Sequence, residues 1–224
     1  LTPEGCQTMQ YNINRNPPNE PVVRPTFFSY LCRKAMIMDS KNLTISDPLP
    51  SLIEGLKICK ISNGKGATMF ASEDEVDTPY EPSSFEKTGS NKLNLDINCS
   101  KEYLNFFTQF DDWAVEYITL NSLRLLGVEH PIEKVKEIYK PCVKRDLSYD
   151  PKLRTKITLE GSGRTRYWSM DKRARLAPDC WPTSVFKTQV RIAFMYVTEA
   201  NIGFTLDCMD IQICKEFSPT TCPF

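Results

Sequence analysis

The chain of 224 residues has 28 basic and 28 acidic side chains, so its formal net charge is zero, and 41% of its residues are hydrophobic. This is an ordinary globular composition, with enough length for one large domain or two small ones. No stretch approaches the roughly 18–20 apolar residues of a membrane span, and the polar N-terminus lacks the basic and apolar regions of a signal peptide. We therefore expect no membrane partner.

Nine cysteines are scattered along the chain without a CxxC pair. A secreted disulfide scaffold usually has an even number of cysteines in a shorter chain. A zinc site needs several Cys or His ligands close together, whereas His130 is the only histidine. The pattern favours buried, reduced thiols. We therefore expect an intracellular, reducing location, with no metal and no other cofactor.

The first part of the chain predicts an extended arm followed by strands. Residues 1–25 are rich in Asn and Pro, which is typical of an arm without regular structure. Apolar stretches at 26–38, 52–62 and 64–72 predict three strands, the last two joined at an Asn-Gly turn signal.

An acidic segment over 72–91 follows, with six acidic residues from Glu73 to Glu86 among Pro, Ser and Gly. This composition predicts a solvated loop. Its carboxylates could recruit a basic partner, or compete with an anionic ligand for the basic residues of this chain. Alternating apolar residues then predict a strand at 92–98.

The middle of the chain, residues 100–140, predicts a helical insertion. Ser100 is a typical N-cap residue, and Gly127 a typical C-terminal stop. A second, shorter helix is expected between Pro131 and Pro141. The long helix has an apolar face with spacings of three and four residues, formed by Tyr103, Phe107, Phe110, Ala114 and Tyr117.

Strands are expected to return in the last third of the chain. In the stretch KLRTKITLE, alternation places Leu153, Ile157 and Leu159 toward the core. The same alternation places Lys152, Arg154 and Lys156 in solvent.

A loop containing glycines then leads to a hairpin over 187–214, in which the alternation changes phase near Cys208. Such a change indicates a β-bulge or a strand covered on both sides. The first strand is expected to place Val190, Ile192, Phe194 and Tyr196 on one face and Lys187, Gln189 and Arg191 on the other.

These elements predict an α+β fold that is mostly antiparallel β. A single domain over 26–216 is expected, with one long and one short helix inserted midway, followed by a tail at 217–224.

The sequence offers no recognisable catalytic frame, and we expect that the protein is not an enzyme. His130 precedes a proline at an expected helix start, where a capping role is the better interpretation. The NGKG stretch lacks the spacing of a phosphate-binding loop. The adjacent Asp111 and Asp112 do not form a recognisable acid–base pair. An enzyme with an unrecognised site is the least favoured alternative.

Charge segregation is the strongest functional signal. Between Lys134 and Arg191 there are fifteen basic and six acidic residues, so this segment carries +9 and the rest of the neutral chain −9. Such an imbalance attracts a polyanion. Tyr167, Trp168 and Trp181 lie among these cations. Cations follow a phosphate backbone while exposed rings stack on unpaired bases, which favours a single strand over a duplex.

We therefore predict a basic, partly aromatic face that binds nucleic acid. Its predicted contact residues are Lys152, Arg154, Lys156, Arg164, Arg166, Tyr167, Trp168, Lys172, Arg173, Arg175, Lys187 and Arg191. The alternative is an ordinary solvated basic face, with the tryptophans in the core.

The order of a basic strand (KLRTKITL), a loop containing glycines and a hairpin (VRIAFMYV to NIGFTLDCMDIQICK) resembles the single-stranded-DNA-binding proteins of large nucleocytoplasmic DNA viruses. These include the proteins of the African swine fever virus and algal virus types. The stretches KLNLDINCSKEYLNFFTQFDDWAVEYI and IEKVKEIYKPCVKRD also resemble that family. The resemblance covers about residues 92–215.

This resemblance implies an OB-fold-like barrel, the oligonucleotide- and oligosaccharide-binding fold, that binds single-stranded DNA without sequence preference. It also implies a role in replication, recombination or repair, in the cytoplasm or nucleus of an infected host. The DNA contacts that it implies are Lys152, Arg154 and Lys156 on the basic strand, and Lys187 and Arg191 on the hairpin.

A second hypothesis is a virion structural or assembly protein. In that case the +9 and −9 regions would be complementary faces of neighbouring subunits. RNA as the ligand instead of DNA, and self-association through unpaired sheet edges, are further alternatives.

Overall fold

The computed structural model of the chain describes residues 43–64, 68–84 and 91–216. Within these ranges the strands are β1 (Thr44–Ile45), β2 (Leu49–Pro50), β3 (Lys57–Ser62), β4 (Thr68–Ala71), β5 (Lys92–Asn98), β6 (Tyr139–Lys140), β7 (Val143–Asp146), β8 (Tyr149–Thr158), β9 (Arg166–Trp168), β10 (Ala174–Arg175), β11 (Ser184–Val197) and β12 (Ile202–Glu216). The helices are α1 (Lys101–Leu120), α2 (Ser122–Leu126) and α3 (Ile132–Ile138). The predicted arm at 1–25, strand at 26–38 and tail at 217–224 lie outside the described residues.

The strands form one sheet around the long hairpin of β11 and β12. Strand β11 pairs antiparallel with β12, β3 and β4. Strand β12 runs parallel to β8, which in turn pairs antiparallel with β5 and β7. The sheet curls into a half-barrel. This confirms the predicted class, a mostly antiparallel, OB-fold-like sheet with helices inserted midway.

The long helix α1 packs its aromatic face against the sheet. The Ser100 side chain caps it by accepting a hydrogen bond from the Tyr103 N–H at 3.2 Å, as the sequence predicts. Phe70 of β4 stacks on Phe106 with ring centroids 4.3 Å apart. Phe110 meets Phe204 of β12 edge to face, at 4.8 Å. These contacts hold α1 against both β4 and β12.

The insertion contains two short helices after α1, whereas the sequence predicts only one. The single long helix that the sequence predicts, up to Gly127, is divided in two. Helix α1 ends at Leu120, and Asn121 separates it from α2. The Asn121 side-chain amide donates to the Tyr117 carbonyl at 2.9 Å, which is a local bond that competes with regular helix. Gly127, with φ 82°, ends α2 in the left-handed conformation expected of a C-terminal glycine.

The described residues of the acidic segment, 72–84, lie outside the strands and helices, yet they pack against the sheet. Val76 and Thr78 are 5% and 1% exposed. The backbone of Val76 exchanges two hydrogen bonds with Phe186, at 2.8 and 2.9 Å. Ser83 forms a further antiparallel bridge with Asn94 of β5. The described part of the segment therefore follows the sheet and exposes its carboxylates along it.

Bulges in the central hairpin change which side chains face the core. Strand β11 pairs Ile192 with Leu206 but Phe194 with Thr205, so Ala193 is an extra, unpaired residue. Beyond it, Met195 is buried whereas Phe194 and Tyr196 are half-buried.

The prediction that Phe194 and Tyr196 share a face with Val190 and Ile192 is therefore wrong. One inserted residue reverses the two-residue alternation of a strand. A second register shift lies between Gln189 and Val190. Gln189, which was expected on the same face as Lys187 and Arg191, is buried. This shift makes Met209 the extra residue of β12, next to Cys208, where the sequence indicates a bulge.

Candidate nucleic-acid interface

The basic strand β8 presents its cations on the outer face of the sheet, as predicted. Leu153, Thr155 and Ile157 are buried, because they alternate onto the core face. Lys152, Arg154 and Lys156 lie opposite them and are half-buried. Their cross-strand neighbours on β5 are Asn98, Asp96 and Asn94.

An open groove of about 570 Å³ crosses this outer face and is lined by residues of six strands and their connections. We call it the basic groove. Its cationic and aromatic lining consists of Lys140, Lys144, Arg154, Lys156, Phe194, Tyr196 and Phe204. The bulge at Ala193 is what places two of these rings there instead of in the core.

A second open groove, of about 800 Å³, continues from the first. The two share Lys140, Pro141 and Lys144. The second groove then runs along β7 and the start of β8 toward Tyr149 and Lys152. Together they form one continuous path, which we call the basic path, although the second groove is lined by as many carboxylates as cations.

The charge of the basic groove is only partly neutralised by this chain. Arg154 donates two hydrogen bonds of 2.7 Å to Asp96, and these hold the pKa of that carboxyl below its ordinary value. Within the described ranges, Lys140, Lys144 and Lys156 form no ion pair. Burial, and then the nearby Arg154 guanidinium, lower the pKa of Lys144. An anion placed there would relieve this repulsion.

The Asp111 carboxylate positions the two lysines that flank the groove. It accepts hydrogen bonds from the Tyr139 hydroxyl at 2.6 Å, from the Cys142 N–H at 3.0 Å and from the Val143 N–H at 3.4 Å. Burial raises the pKa of Asp111 despite these bonds. Helix α1 thus holds the segment that carries Lys140 and Lys144 against the mouth of the groove.

Gly203 lies directly under the Tyr196 ring. The two residues pair across β11 and β12. A Cβ at position 203 would stand 2.7 Å from the Tyr196 hydroxyl oxygen and 3.1 Å from the Lys140 carbonyl oxygen. Both distances are shorter than ordinary contacts, so the ring can lie across β12 only because this residue has no side chain.

If the groove binds the single strand that the sequence predicts, Gly203→Ala is expected to displace the Tyr196 ring and to lower that affinity by about tenfold, the contribution of roughly one stacked base. Fluorescence anisotropy of a labelled oligonucleotide measures this. Gly163→Ala is the matched control, because a Cβ there meets nothing within 4 Å. Equal affinities of both variants and the parent chain would contradict a stacking role for Tyr196.

On the same prediction of a nucleic-acid ligand, Asp96→Asn is expected to strengthen binding of a single strand several-fold, because Arg154 then has no carboxylate partner and is free to pair with a phosphate. The slope of log affinity against log salt should become steeper by about 0.7, the value for one added phosphate contact on a single strand. Asp171→Asn is the control, since it releases Arg173, 2.9 Å away, outside the groove. An unchanged slope for Asp96→Asn would show that Arg154 does not contact the ligand.

The predicted cations of β9, β10 and their connection lie away from the basic groove and are largely paired within the chain. Arg166 meets Asp210 at 2.6 Å and Arg175 meets Glu216 at 2.5 Å. Arg173 pairs with Asp171. Two further predicted cations are exposed and form no ion pair in the described part of the chain, namely Arg164 and Lys172.

The two predicted stacking residues also lie on this second surface. The Trp168 Nε1–H donates to Asp210 at 2.8 Å, and the side chain is half-buried. Tyr167 packs against the core, with its ring edge to face with the buried Trp181 at 6.1 Å. Burial raises the pKa of Tyr167 to about 12. Neither ring lines the basic groove.

The remaining predicted contacts, Lys187 and Arg191, pair with carboxylates of this chain. Lys187 meets Glu73 of the acidic segment at 3.0 Å. Arg191 meets the buried Asp207 at 2.7 Å, and Asp207 is also 3.2 Å from Lys92. The structure therefore brings only Arg154 and Lys156 of the predicted set into the basic groove, with Lys152 on its continuation.

Sequence reasoning missed five of the seven cationic and aromatic residues of the groove, namely Lys140, Lys144, Phe194, Tyr196 and Phe204. Lys140 and Lys144 were counted in the basic segment but not singled out. Phe194 and Tyr196 were placed with Val190 and Ile192. A signal was present, because the stretch IAFMYV is apolar at both odd and even positions, so its alternation does not specify a face.

The described residues contain no helix long and apolar enough to cross a bilayer. Nor do they contain a group of three or more His, Cys, Asp or Glu side chains placed to hold a metal ion. The six cysteines of these ranges are free thiols, and three of them, Cys59, Cys142 and Cys208, are buried.

No protein-family model and no curated protein matches this chain. Among solved structures, it is similar to the single-stranded DNA-binding protein from bacteriophage Enc34 in complex with single-stranded DNA. The sequence identity is 11% and the TM-score 0.44, and the match covers 79% of this chain and 98% of that one.

It is also similar to gp2.5, a single-stranded DNA binding protein encoded by bacteriophage T7. There the identity is 10% and the TM-score 0.46, with 70% and 96% of the two chains covered. Both of these proteins come from bacteriophages, and the resemblance to proteins of large nucleocytoplasmic DNA viruses stays a prediction. Identities and TM-scores this low do not assign a function, so the function of this chain is inferred from its own residues.

Proposed function

We propose that this chain binds single-stranded DNA, without sequence preference, along the basic groove. One observation carries the proposal: the half-buried rings of Phe194 and Tyr196 lie in an open groove flanked by lysines that have no ion pair in the described ranges. Lysines at the rim follow a phosphate backbone, and the rings offer stacking surfaces to bases. Every base has a π-face, so this mode of binding tolerates any sequence.

The same arrangement favours a single strand over a duplex. In a duplex the bases are stacked on one another and cannot reach rings that lie on a sheet between rim lysines. Duplex binding would use the cations alone, and it would be weaker and entirely electrostatic.

The wider role belongs to the same proposal. We propose a non-catalytic protein of replication, recombination or repair that works in a reducing, intracellular compartment. Kinship with the single-stranded-DNA-binding proteins of large nucleocytoplasmic DNA viruses is also proposed, on the motifs quoted above. RNA is the alternative ligand, because the groove recognises features that both nucleic acids share.

Titration of a labelled single strand of about 30 nucleotides, enough to span one binding site, tests the proposal by fluorescence anisotropy. The matching duplex and an RNA strand of the same sequence are titrated beside it, each at low and moderate salt. Tight, salt-sensitive binding that prefers the single strand supports the proposal. Equal binding of strand and duplex, or no binding at low salt, would refute it.

A structural or assembly protein held together by complementary charges is the second candidate. This function requires the acidic and basic regions to pair between neighbouring subunits. Ion pairs within one chain argue against it, because the acidic segment already pairs with basic residues of the hairpin. Glu73 pairs with Lys187, and Glu75 lies 3.5 Å from Lys215. Sedimentation at low and high salt, with and without oligonucleotide, separates the two functions. Subunit contacts between charged faces predict an oligomer that dissociates in high salt and does not change when DNA is added.

A further inference from the structure

Two exposed tyrosines converge on one lysine at the far end of the basic path. The Lys152 ammonium lies 4.8 Å from the centroid of the Tyr80 ring and 5.0 Å from that of the Tyr149 ring. Tyr80 is 55% and Tyr149 is 64% exposed. Aromatic rings are costly to leave in water, so two of them beside a lysine that has no ion pair among the described residues form an unusual surface.

The position of Tyr80 is built into the fold. The buried Thr78 hydroxyl donates to the Tyr80 carbonyl at 3.0 Å. Just before it, the Asp77 carboxylate accepts a hydrogen bond from the Asn98 side chain at 2.6 Å, and the Asp77 carbonyl accepts one from the Asn98 N–H at 3.0 Å. Because Asn98 pairs with Lys152 across β5 and β8, these bonds fasten the acidic segment beside the lysine.

Tyr149 reaches the same lysine from the other side. It is the first residue of β8 and pairs with Asp146 at the end of β7. Lys144 of β7 lies directly across from Lys152, so two cations stand together on this face. In the part of the chain that the structure describes, neither lysine forms an ion pair. Four carboxylates also line this groove and moderate its charge, namely Asp111, Asp112, Asp146 and Asp150.

We propose that Tyr80, Lys152 and Tyr149 form a second nucleotide subsite, occupied by a later part of the strand that lies in the basic groove. Bases stack on the two tyrosines, and Lys152 and Lys144 hold the intervening phosphate. The path between the subsites runs past Lys144, which the two grooves share. This inference rests on the proposed function. It adds that the bound strand extends beyond the Phe194 and Tyr196 rings, so that one protein covers more nucleotides.

The length of the oligonucleotide separates the two subsites. Labelled oligothymidylates of about 6 and about 20 nucleotides bracket the usual length of one site. The short strand fills only the subsite of higher affinity, which we expect to be the one formed by Phe194 and Tyr196. The long strand spans both subsites. Tyr149→Ala is expected to weaken binding of the long strand by roughly tenfold, one stacked base, with little effect on the short one. Tyr80→Ala should behave in the same way.

Two controls guard against a merely structural effect. Tyr149→Phe keeps the ring and should bind the long strand like the parent chain. Leu147→Ala changes a fully exposed residue of the same hairpin and should change nothing. Thermal melting by circular dichroism is expected to be unaltered in all of these variants, since both tyrosines are exposed.

Each outcome decides the matter. Loss of affinity confined to the long strand, with recovery in Tyr149→Phe, supports the second subsite. Parental affinity for both strands, or equal losses for both, overturns it and leaves the proposed function standing. If the parent chain binds neither strand, the proposed function fails, and the second subsite fails with it.

Discussion

Replacing Phe194 and Tyr196 together by leucine is expected to weaken the binding of single-stranded DNA on the order of a hundredfold. Stacking on an aromatic ring contributes roughly 1–3 kcal/mol per base, and two rings are lost. Affinity for a duplex should change little, because its bases cannot reach the groove floor. The ratio of single-strand affinity to duplex affinity, measured by anisotropy at fixed salt, is therefore expected to fall.

Leucine is chosen because both side chains are half-buried, and an alanine pair would also remove much of their apolar volume. Leucine keeps much of the apolar volume but offers no planar face. The matched control is Tyr167→Leu with Trp168→Leu, on the surface that the sequence favoured. If the control pair loses single-strand preference while the groove pair keeps it, the strand follows β9 and β10, and the basic groove is not the site.

The sequence specified those elements whose pattern is unambiguous. In β8 basic residues alternate with Leu153, Thr155 and Ile157, so the outward direction of Arg154 and Lys156 could be predicted from periodicity alone. The helix start at Ser100 and the left-handed stop at Gly127 follow from local chemistry, in which a hydroxyl satisfies a free N–H and a glycine accepts a positive φ.

Local pattern could not locate the groove, because its residues come together through tertiary contacts. The bulge at Ala193 is one extra residue in a run that is apolar on both faces, and periodicity cannot detect it there. Lys140 and Lys144 reach the rim because Asp111, about thirty residues earlier, holds the backbone between them. Charge counting pointed to the segment that carries the groove lysines, but it could not separate paired cations such as Arg166 from those, such as Lys156, that form no ion pair within the described ranges.

Replacing Lys140, Lys144 and Lys156 together by alanine is expected to flatten the salt dependence of single-strand binding. Each phosphate contact on a single strand contributes about 0.7 to the slope of log affinity against log salt, so the slope should fall by about 2. At low salt the affinity should drop on the order of a hundredfold, and at high salt, where counterion release contributes little, the variant and the parent should converge.

The matched control removes three exposed cations from outside the groove, namely Lys101, Arg164 and Lys172, so the net charge changes by the same amount. A general effect of protein charge would weaken both triple variants alike, since a distant field does not distinguish where the charges lie. Phosphates that follow the groove would leave the slope of the control unchanged. Parallel flattening in both variants would therefore exclude a defined path and reduce the interaction to non-specific attraction. A flatter slope in the groove variant alone would assign the phosphate contacts to Lys140, Lys144 and Lys156.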